Sequence, residues 1–198
     1  MVSIVSNNCV GGCLTHDLKI QYTSPTVGLQ ILPEEFPKFC KNIKHYLDQD
    51  ITEYKINDIS DKHKQYLINM FGTIAPMPYG LCDDIIICFQ HYPNFDIDKA
   101  AWDRRRKRFN FNNVAYMFYS RDPKYTEYVQ EFINYGFKQA VVFTENYDID
   151  IPIEHYKIVP PDGGNFLDIQ ANGIRWYEQW FNQADWYKRI ERGDCYIV

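Results

Sequence analysis

The chain opens with the stretch VSIVSNNCVGG, residues 2–12, which decides the fold that we predict. Residues 2–6 form a short apolar run that ends at Asn7 and Asn8, a pattern typical of a buried strand followed by a turn. Gly11 and Gly12 follow and let the backbone turn tightly, so we expect a helix to begin here. A strand, a short loop and a helix in immediate succession are the first unit of an α/β fold.

The same alternation continues to the end of the sequence. Further strands are predicted at residues 51–56, 84–89, 114–119, 140–143 and 156–159, and helices at 33–47, 61–70, 96–108, 122–136 and 173–190. The β-branched run 84–89, DIIICF, is of the kind that is buried on both faces of a parallel sheet. We therefore predict a single α/β domain over residues 1–198. It should be a three-layer Rossmann-like domain, a mostly parallel sheet with helices on both faces.

Composition excludes several classes of protein. A chain of 198 residues with 45% hydrophobic residues buries enough surface to fold without disulfides or a structural metal. The net charge of −5 argues against a surface built as a whole for nucleic acid or anionic lipid. Its six cysteines lack zinc-ligand spacing and are expected to be free thiols in a reducing cytosol. The first residues turn polar after five positions and no stretch approaches 18 apolar residues, so we expect neither a secretory signal nor a membrane span. We expect a cytoplasmic protein that has no metal site and no membrane span and binds no nucleic acid.

Ligands of open α/β sheets bind beyond the carboxyl ends of the strands. The residues that follow predicted strands are therefore the candidate site: the loop from Asn7 to Gly12, His91, and Asp122. Backbone N–H groups of a loop that opens a helix favour an anion. We predict that Asn7, Asn8, Gly11 and Gly12 contact a ligand.

Cys9 is the candidate nucleophile in this loop. A helix N-terminus stabilises a thiolate, and its free N–H groups can hold an oxyanion during acyl transfer. His91 is the candidate base, and Asn8 with the Gly11 and Gly12 amides is the candidate oxyanion site. The alternative is that Cys9 is a small apolar residue of the core.

A basic run after Trp102 is the second candidate site. On a helix, Arg104 and Arg108 share one face and Arg105 lies on the next stripe, so their guanidinium groups can bind phosphate, with the Trp102 indole beside them. The alternatives are a solvated helix end, where the dipole favours cations, or a patch for RNA. Asp122 is either a catalytic base or the cap of the helix that begins at Pro123.

In their order and spacing these residues resemble a bacterial family of unknown function whose members are commonly labelled exopolysaccharide or capsule biosynthesis proteins. The resemblance is carried by residues 4–9, Gly11–Gly12, residues 22–29, His91–Tyr92, Trp102, Arg104, Arg105, Arg108, Asn110 and Arg121–Asp122. Val10 stands where the family usually has an aromatic residue. The resemblance implies a Rossmann-like domain and a role in surface polysaccharide synthesis, and it assigns no catalytic residue.

Together these features favour a transferase that acts on an activated or lipid-linked sugar. In an acyl-transfer version, Cys9 attacks an acyl donor and a glycan is the acceptor. In a glycosyl-transfer version, the arginines hold a nucleotide diphosphate, and Asp122 or His91 deprotonates the acceptor hydroxyl. The alternative class is a non-catalytic glycan- or partner-binding component of an assembly complex. Helix 173–190, with three tryptophans, is a candidate homo-oligomer contact, and no cofactor is identified.

Overall fold

The computed structural model describes residues 1–91, 93–160 and 164–194. Within these residues the chain forms eight strands and seven α-helices. The strands are β1 (Ser3–Ser6), β2 (Leu29–Ile31), β3 (Ile51–Glu53), β4 (Tyr79–Cys82), β5 (Ile85–Phe89), β6 (Val114–Ser120), β7 (Ala140–Glu145) and β8 (Glu154–Ile158). The helices are α1 (Val10–Asp17), α2 (Phe36–Lys41), α3 (Ile43–Asp48), α4 (Asp61–Phe71), α5 (Phe95–Arg106), α6 (Thr126–Asn134) and α7 (Gln183–Arg192).

A parallel sheet contains β1, β6, β7 and β8 in that order. Successive residues of β6 alternate between two hydrophobic clusters, one on each face of the sheet. Tyr116 and Phe118 pack in the cluster that contains Phe36 of α2 and Phe132 of α6. Ala115 and Met117 pack in a second cluster, which includes residues of α1 and α7. The fold is therefore of the mixed α/β class, and helices contribute to both clusters.

The remaining strands form an antiparallel sheet in the order β2, β5, β4, β3. The prediction of one mostly parallel sheet was therefore wrong for this half of the molecule. All five residues of β5 are buried, as the DIIICF run predicts. Ile85 and Ile87 belong to one hydrophobic cluster and Ile86 and Cys88 to another. A strand covered on both faces is apolar throughout whichever way its neighbours run, so the pattern does not encode their direction.

Several helices differ from their predicted bounds. The predicted helix 33–47 is divided at Asn42 into α2 and α3. The predicted C-terminal helix is a 3-10 turn at Trp176–Gln179 followed by α7. Trp186 is buried in the core, and Trp176 and Trp180 pack against the same cluster. In the part of the chain that the structure describes, no helix combines the length and apolarity needed to cross a membrane.

The two sheets meet at the end of β1. The Asn7 carboxamide is buried and joins β1 to β6, since Nδ2 donates to the Tyr119 carbonyl at 2.8 Å and Oδ1 accepts from the Tyr119 N–H at 2.8 Å. The Asn7 carbonyl accepts from the Ile31 N–H of β2 at 2.9 Å. Because β5 pairs with β2, and Leu29 lies opposite Phe89, the end of β5 also reaches this junction. The loop after β1 and the residues after β5 are thereby brought together.

Candidate active site

A thiol and an imidazole meet where the two sheets join. Cys9 Sγ lies 3.0 Å from His91 Nε2, a hydrogen-bond distance across 82 positions of sequence. The thiol also lies 3.5 Å from Oε1 of Gln90. Cys9 directly precedes α1, at the N-cap position, and His91 follows β5 by two residues. The structure therefore brings together the two residues that the sequence analysis names as nucleophile and base.

The loop that carries Cys9 is held by short polar contacts. Asn8 Oδ1 accepts from the Val10 N–H at 3.0 Å. The Ser6 hydroxyl donates to the Asn8 carbonyl at 2.6 Å and accepts from the Gly11 N–H at 3.2 Å. A Cβ on Gly11 would lie 2.7 Å from Ser6 Oγ, so only glycine allows this approach of α1 to β1. Both glycines lie inside α1 rather than in front of it.

These contacts revise the roles predicted for the loop. The Gly11 amide is occupied by the Ser6 hydroxyl, and the Asn7 carboxamide is used within the parallel sheet. Neither group is free to bind a ligand. Gly12 lies beside the site, where an added Cβ would be 3.1 Å from a methyl group of Val27. Asn8 keeps its side-chain nitrogen as a donor, because Oδ1 is the atom that the loop uses.

The Cys9 thiol is less acidic than its position at a helix N-terminus predicts. Burial raises its pKa to about 12, and the neighbouring Cys13 acts in the same direction. This direction is opposite to the predicted stabilisation of the thiolate, because the cost of removing a charge from water opposes the effect of the helix N-terminus. The resting thiol is neutral and needs a base to become a nucleophile.

Cys9 lies between two cavities. The first, which we call the polar cavity, has a volume of about 190 Å³. It is lined by Asn8, Cys9, Gln30, Met70, Phe71, Gln90, Tyr119, Arg121, Glu145, Gly164, Asn165, Phe166 and Leu167. The second, the histidine cavity, has a volume of about 260 Å³. It is lined by Cys9, Gly12, Cys13, His16, Tyr22, Val27, Gly28, His91 and Arg175. Cys9 is therefore a lining residue of both cavities.

Sequence reasoning did not identify Glu145 as a site residue, although it ends β7 at the same edge of the sheet as the loop after β1. Glu145 accepts a hydrogen bond from the Tyr119 hydroxyl, and its Oε1 lies 3.8 Å from Nε of Arg121. Glu145 follows the predicted strand 140–143 by two residues, as His91 follows its own strand, so the rule that polar residues after strands converge would have found Glu145 had it been applied to this strand. Arg175 also lines the histidine cavity, but it lies in a distant turn and does not follow a predicted strand. Its Nε lies 2.5 Å from Oδ2 of Asp17, with which it forms an ion pair.

The arginines of the basic run have separate surroundings. Arg105 is buried and donates to the Val27 carbonyl at 2.7 Å, behind the wall of the histidine cavity. Arg106 donates to the carbonyls of Leu47 and Gln49. Arg104 is exposed and Arg108 half-buried, and neither lines the two cavities. These guanidinium groups therefore do not converge on the loop after β1.

Two further predicted site residues, Trp102 and Asp122, make contacts that support the fold. Trp102 is 1% exposed and packs edge-to-face on Phe39, so the idea that its indole supports a ligand was wrong. Asp122 Oδ1 accepts from the Lys124 N–H at 2.9 Å, the capping interaction that the sequence analysis gives as the alternative to catalysis. This backbone hydrogen bond is the main cause that lowers the pKa of Asp122. The five described cysteines are free thiols, and Cys195 and Tyr92 lie outside the described residues.

The fold and the site define a class of protein: a mixed α/β protein with a cysteine–histidine pair at the junction of two sheets. The chain belongs to the family described as Domain of unknown function (DUF1919), whose sequence profile matches residues 1–157. That range includes Cys9, His91, Arg121 and Glu145. An uncharacterized protein of Haemophilus influenzae is 28% identical over 192 residues, which cover 92% of this chain and 85% of the relative. Neither description mentions exopolysaccharide or capsule.

Proposed function

We propose that the protein is a cysteine-dependent acyltransferase in which Cys9 is the nucleophile and His91 the general base. The observation that carries the proposal is the 3.0 Å distance between Sγ and Nε2 in front of α1, at a cysteine that lines two cavities. A nucleophile within hydrogen-bond reach of a base is the geometry that covalent acyl transfer requires. The raised pKa of Cys9 supports proton removal by His91 during attack rather than by the solvent.

The first half of the reaction forms a thioester. Sγ attacks the carbonyl carbon of the donor while its proton passes to His91 Nε2. The bond from that carbon to the leaving group then breaks, and the leaving group takes the proton from His91. Cys9 is left acylated and His91 neutral.

The second half returns the enzyme to its resting state. The acceptor hydroxyl gives its proton to His91 as its oxygen attacks the thioester carbon. The carbon–sulfur bond breaks, and Sγ takes the proton back from His91. In both halves the carbonyl oxygen becomes negative in the intermediate, and the side-chain nitrogen of Asn8 is the donor available to it.

A glycan is the acceptor class that we propose, and this part of the proposal is supported by the sequence resemblance to polysaccharide proteins. The glycosyl-transfer version has less support. Its predicted phosphate ligands are Arg104, Arg105 and Arg108, but Arg105 is bound to a backbone carbonyl and the other two do not line either cavity. Its alternative base, Asp122, is engaged as a cap.

Acylation of Cys9 tests the proposed function. The protein is incubated with acetyl, butyryl and glutaryl thioesters of N-acetylcysteamine, and its intact mass is measured before and after hydroxylamine treatment. We expect one hydroxylamine-labile acyl group per chain, absent in Cys9→Ala. Cys13→Ala is the matched control, because Cys13 is a thiol one helical turn away that lines the same histidine cavity. We expect it to be acylated like the unmodified protein.

Equal acylation of the unmodified protein and Cys9→Ala would contradict the proposal, because the label would then come from non-specific reaction of other nucleophiles. No acylation by any of the three thioesters, in a protein whose Cys9 reacts with iodoacetamide, would contradict it as well. In that case the thiol would be accessible but would not act on an acyl group.

A further inference from the structure

We propose that the acyl group transferred by this site is zwitterionic, carrying a carboxylate and an ammonium group as a γ-glutamyl group does. The inference rests on the proposed acyl transfer and names its donor class. The residues that carry it are Arg121 and Glu145, which line the polar cavity together with Cys9.

The positions of His91 and Asn8 decide which cavity holds the acyl group. His91 must reach both the leaving group and the acceptor hydroxyl, since it gives a proton to one and takes a proton from the other. His91 lines the histidine cavity, so the leaving group and the acceptor belong there. Asn8 lines the polar cavity, where its side-chain nitrogen would hold the carbonyl oxygen. The remainder of the acyl group therefore extends into the polar cavity.

The polar cavity presents one cation and one anion to this group. The Arg121 side chain is 66% exposed, and its ion pair with Glu145 is loose, at 3.8 Å. A guanidinium group binds a carboxylate in a bidentate manner. Glu145 is 17% exposed and receives the Tyr119 hydroxyl on its other oxygen. Burial and the Glu145 carboxylate raise the pKa of Tyr119, so its hydroxyl remains a neutral donor and Glu145 remains an acceptor.

This arrangement of charges favours a zwitterion over a singly charged acyl group. An acyl group with only a carboxylate would meet the carboxylate of Glu145, and one with only an ammonium would meet the guanidinium of Arg121. A zwitterion pairs each of its charges with the opposite one. The volume of about 190 Å³ suits a group of a few carbon atoms, since drug-sized ligands need roughly 300–1,000 Å³.

The test removes each charge of the donor in turn. The full-length protein is given γ-glutamyl, glutaryl, γ-aminobutyryl and butyryl p-nitroanilides, and the release of p-nitroaniline and the acylation of Cys9 are measured. We expect the γ-glutamyl donor to react about 10- to 100-fold faster than each of the others, which is the effect of one hydrogen-bonded charge pair. Arg121→Gln should remove the advantage of the carboxylate, and Glu145→Gln that of the ammonium.

Arg104→Gln is the matched control, since Arg104 is an exposed arginine outside both cavities, and it should keep the donor preference. A protein that is acylated by the thioesters but prefers the butyryl donor, or accepts none of the four anilides, would overturn this inference and leave the proposed acyl transfer intact. Loss of the γ-glutamyl preference in Arg104→Gln would also overturn it. Failure of the thioesters and the anilides alike would overturn both.

Discussion

Two short stretches of this chain carry a similarly strong sequence signal for chemistry, yet the fold uses them differently. The loop of residues 7–12 brings Cys9 to His91 between two cavities. In the run of residues 104–108, Arg105 and Arg106 donate hydrogen bonds to backbone carbonyls. The loop lies where the two sheets meet. Arg105 and Arg106 lie on the last turn of α5, which also contributes buried residues to the core. Position at the end of strands is therefore a better guide to a site than the charge of a segment.

The largest effect that would sharpen this comparison is expected at His91. Replacing His91 with Gln removes the base, and we expect acylation of Cys9 to slow by about 10²- to 10⁴-fold. The measurement is the rate of thioester formation by intact mass. His16→Gln is the control, because His16 is a second histidine that lines the same cavity. Equal rates in His91→Gln and the unmodified protein would show that the 3.0 Å contact has no catalytic consequence.

Replacement of Trp102 tests whether the residue beside the basic run belongs to the core. Trp102→Ala leaves a large cavity in the core, and we expect the free energy of unfolding to fall by about 3–5 kcal/mol. Trp102→Phe should cost clearly less, because it keeps an aromatic ring and removes an indole N–H that is buried without a hydrogen-bond partner. Urea denaturation followed by circular dichroism measures both. A neutral Trp102→Ala would mean that the indole is not part of the core.

The pH dependence of alkylation tests the state of the Cys9 thiol. Only the thiolate reacts with iodoacetamide, and a pKa of about 12 makes the thiolate fraction rise tenfold per pH unit below that value. The rate at Cys9, followed by peptide mass, should therefore increase about 100-fold from pH 7 to pH 9 and continue to rise. N-acetylcysteine is the control and should level off as the pH passes its own pKa. A plateau for Cys9 near neutral pH would indicate a preformed thiolate–imidazolium pair instead.

The sequence predicts much of this arrangement because polar residues after strands are local signals. Six of the eight strands and the positions of Cys9 and His91 follow from such signals. The prediction that His91 belongs to the site uses a rule for parallel strands. In the structure β5 is antiparallel to its neighbours, and its end reaches Cys9 through its pairing with β2. The predicted strands do not include β2 and β4, which are defined by their antiparallel pairing with β5 rather than by a local pattern. The position of Glu145 after a predicted strand is a local signal, but its hydrogen bond from the Tyr119 hydroxyl is not encoded by any local pattern.

The smallest expected effect is a difference in the free energy of unfolding between variants of two adjacent arginines, Arg105 and Arg104. Arg105→Ala removes a buried guanidinium group, leaves the Val27 carbonyl without its donor, and takes a cation away from the Tyr22 ring at 5.4 Å. We expect a loss of about 1–3 kcal/mol in the free energy of unfolding. Arg104→Ala changes an exposed side chain and should stay within about 0.5 kcal/mol.

Tyr22 and Val27 line the histidine cavity, so Arg105→Ala should also slow acylation of Cys9 several-fold, while Arg104→Ala leaves the rate unchanged. Arg105→Lys tests whether charge alone is enough. A lysine keeps the charge but lacks the planar fork of donors, and we expect it to recover only part of the stability. If Arg104→Ala instead lowered the acylation rate more than Arg105→Ala, the exposed arginine would be a ligand-binding residue, and the basic run would regain the role that its charge first indicated.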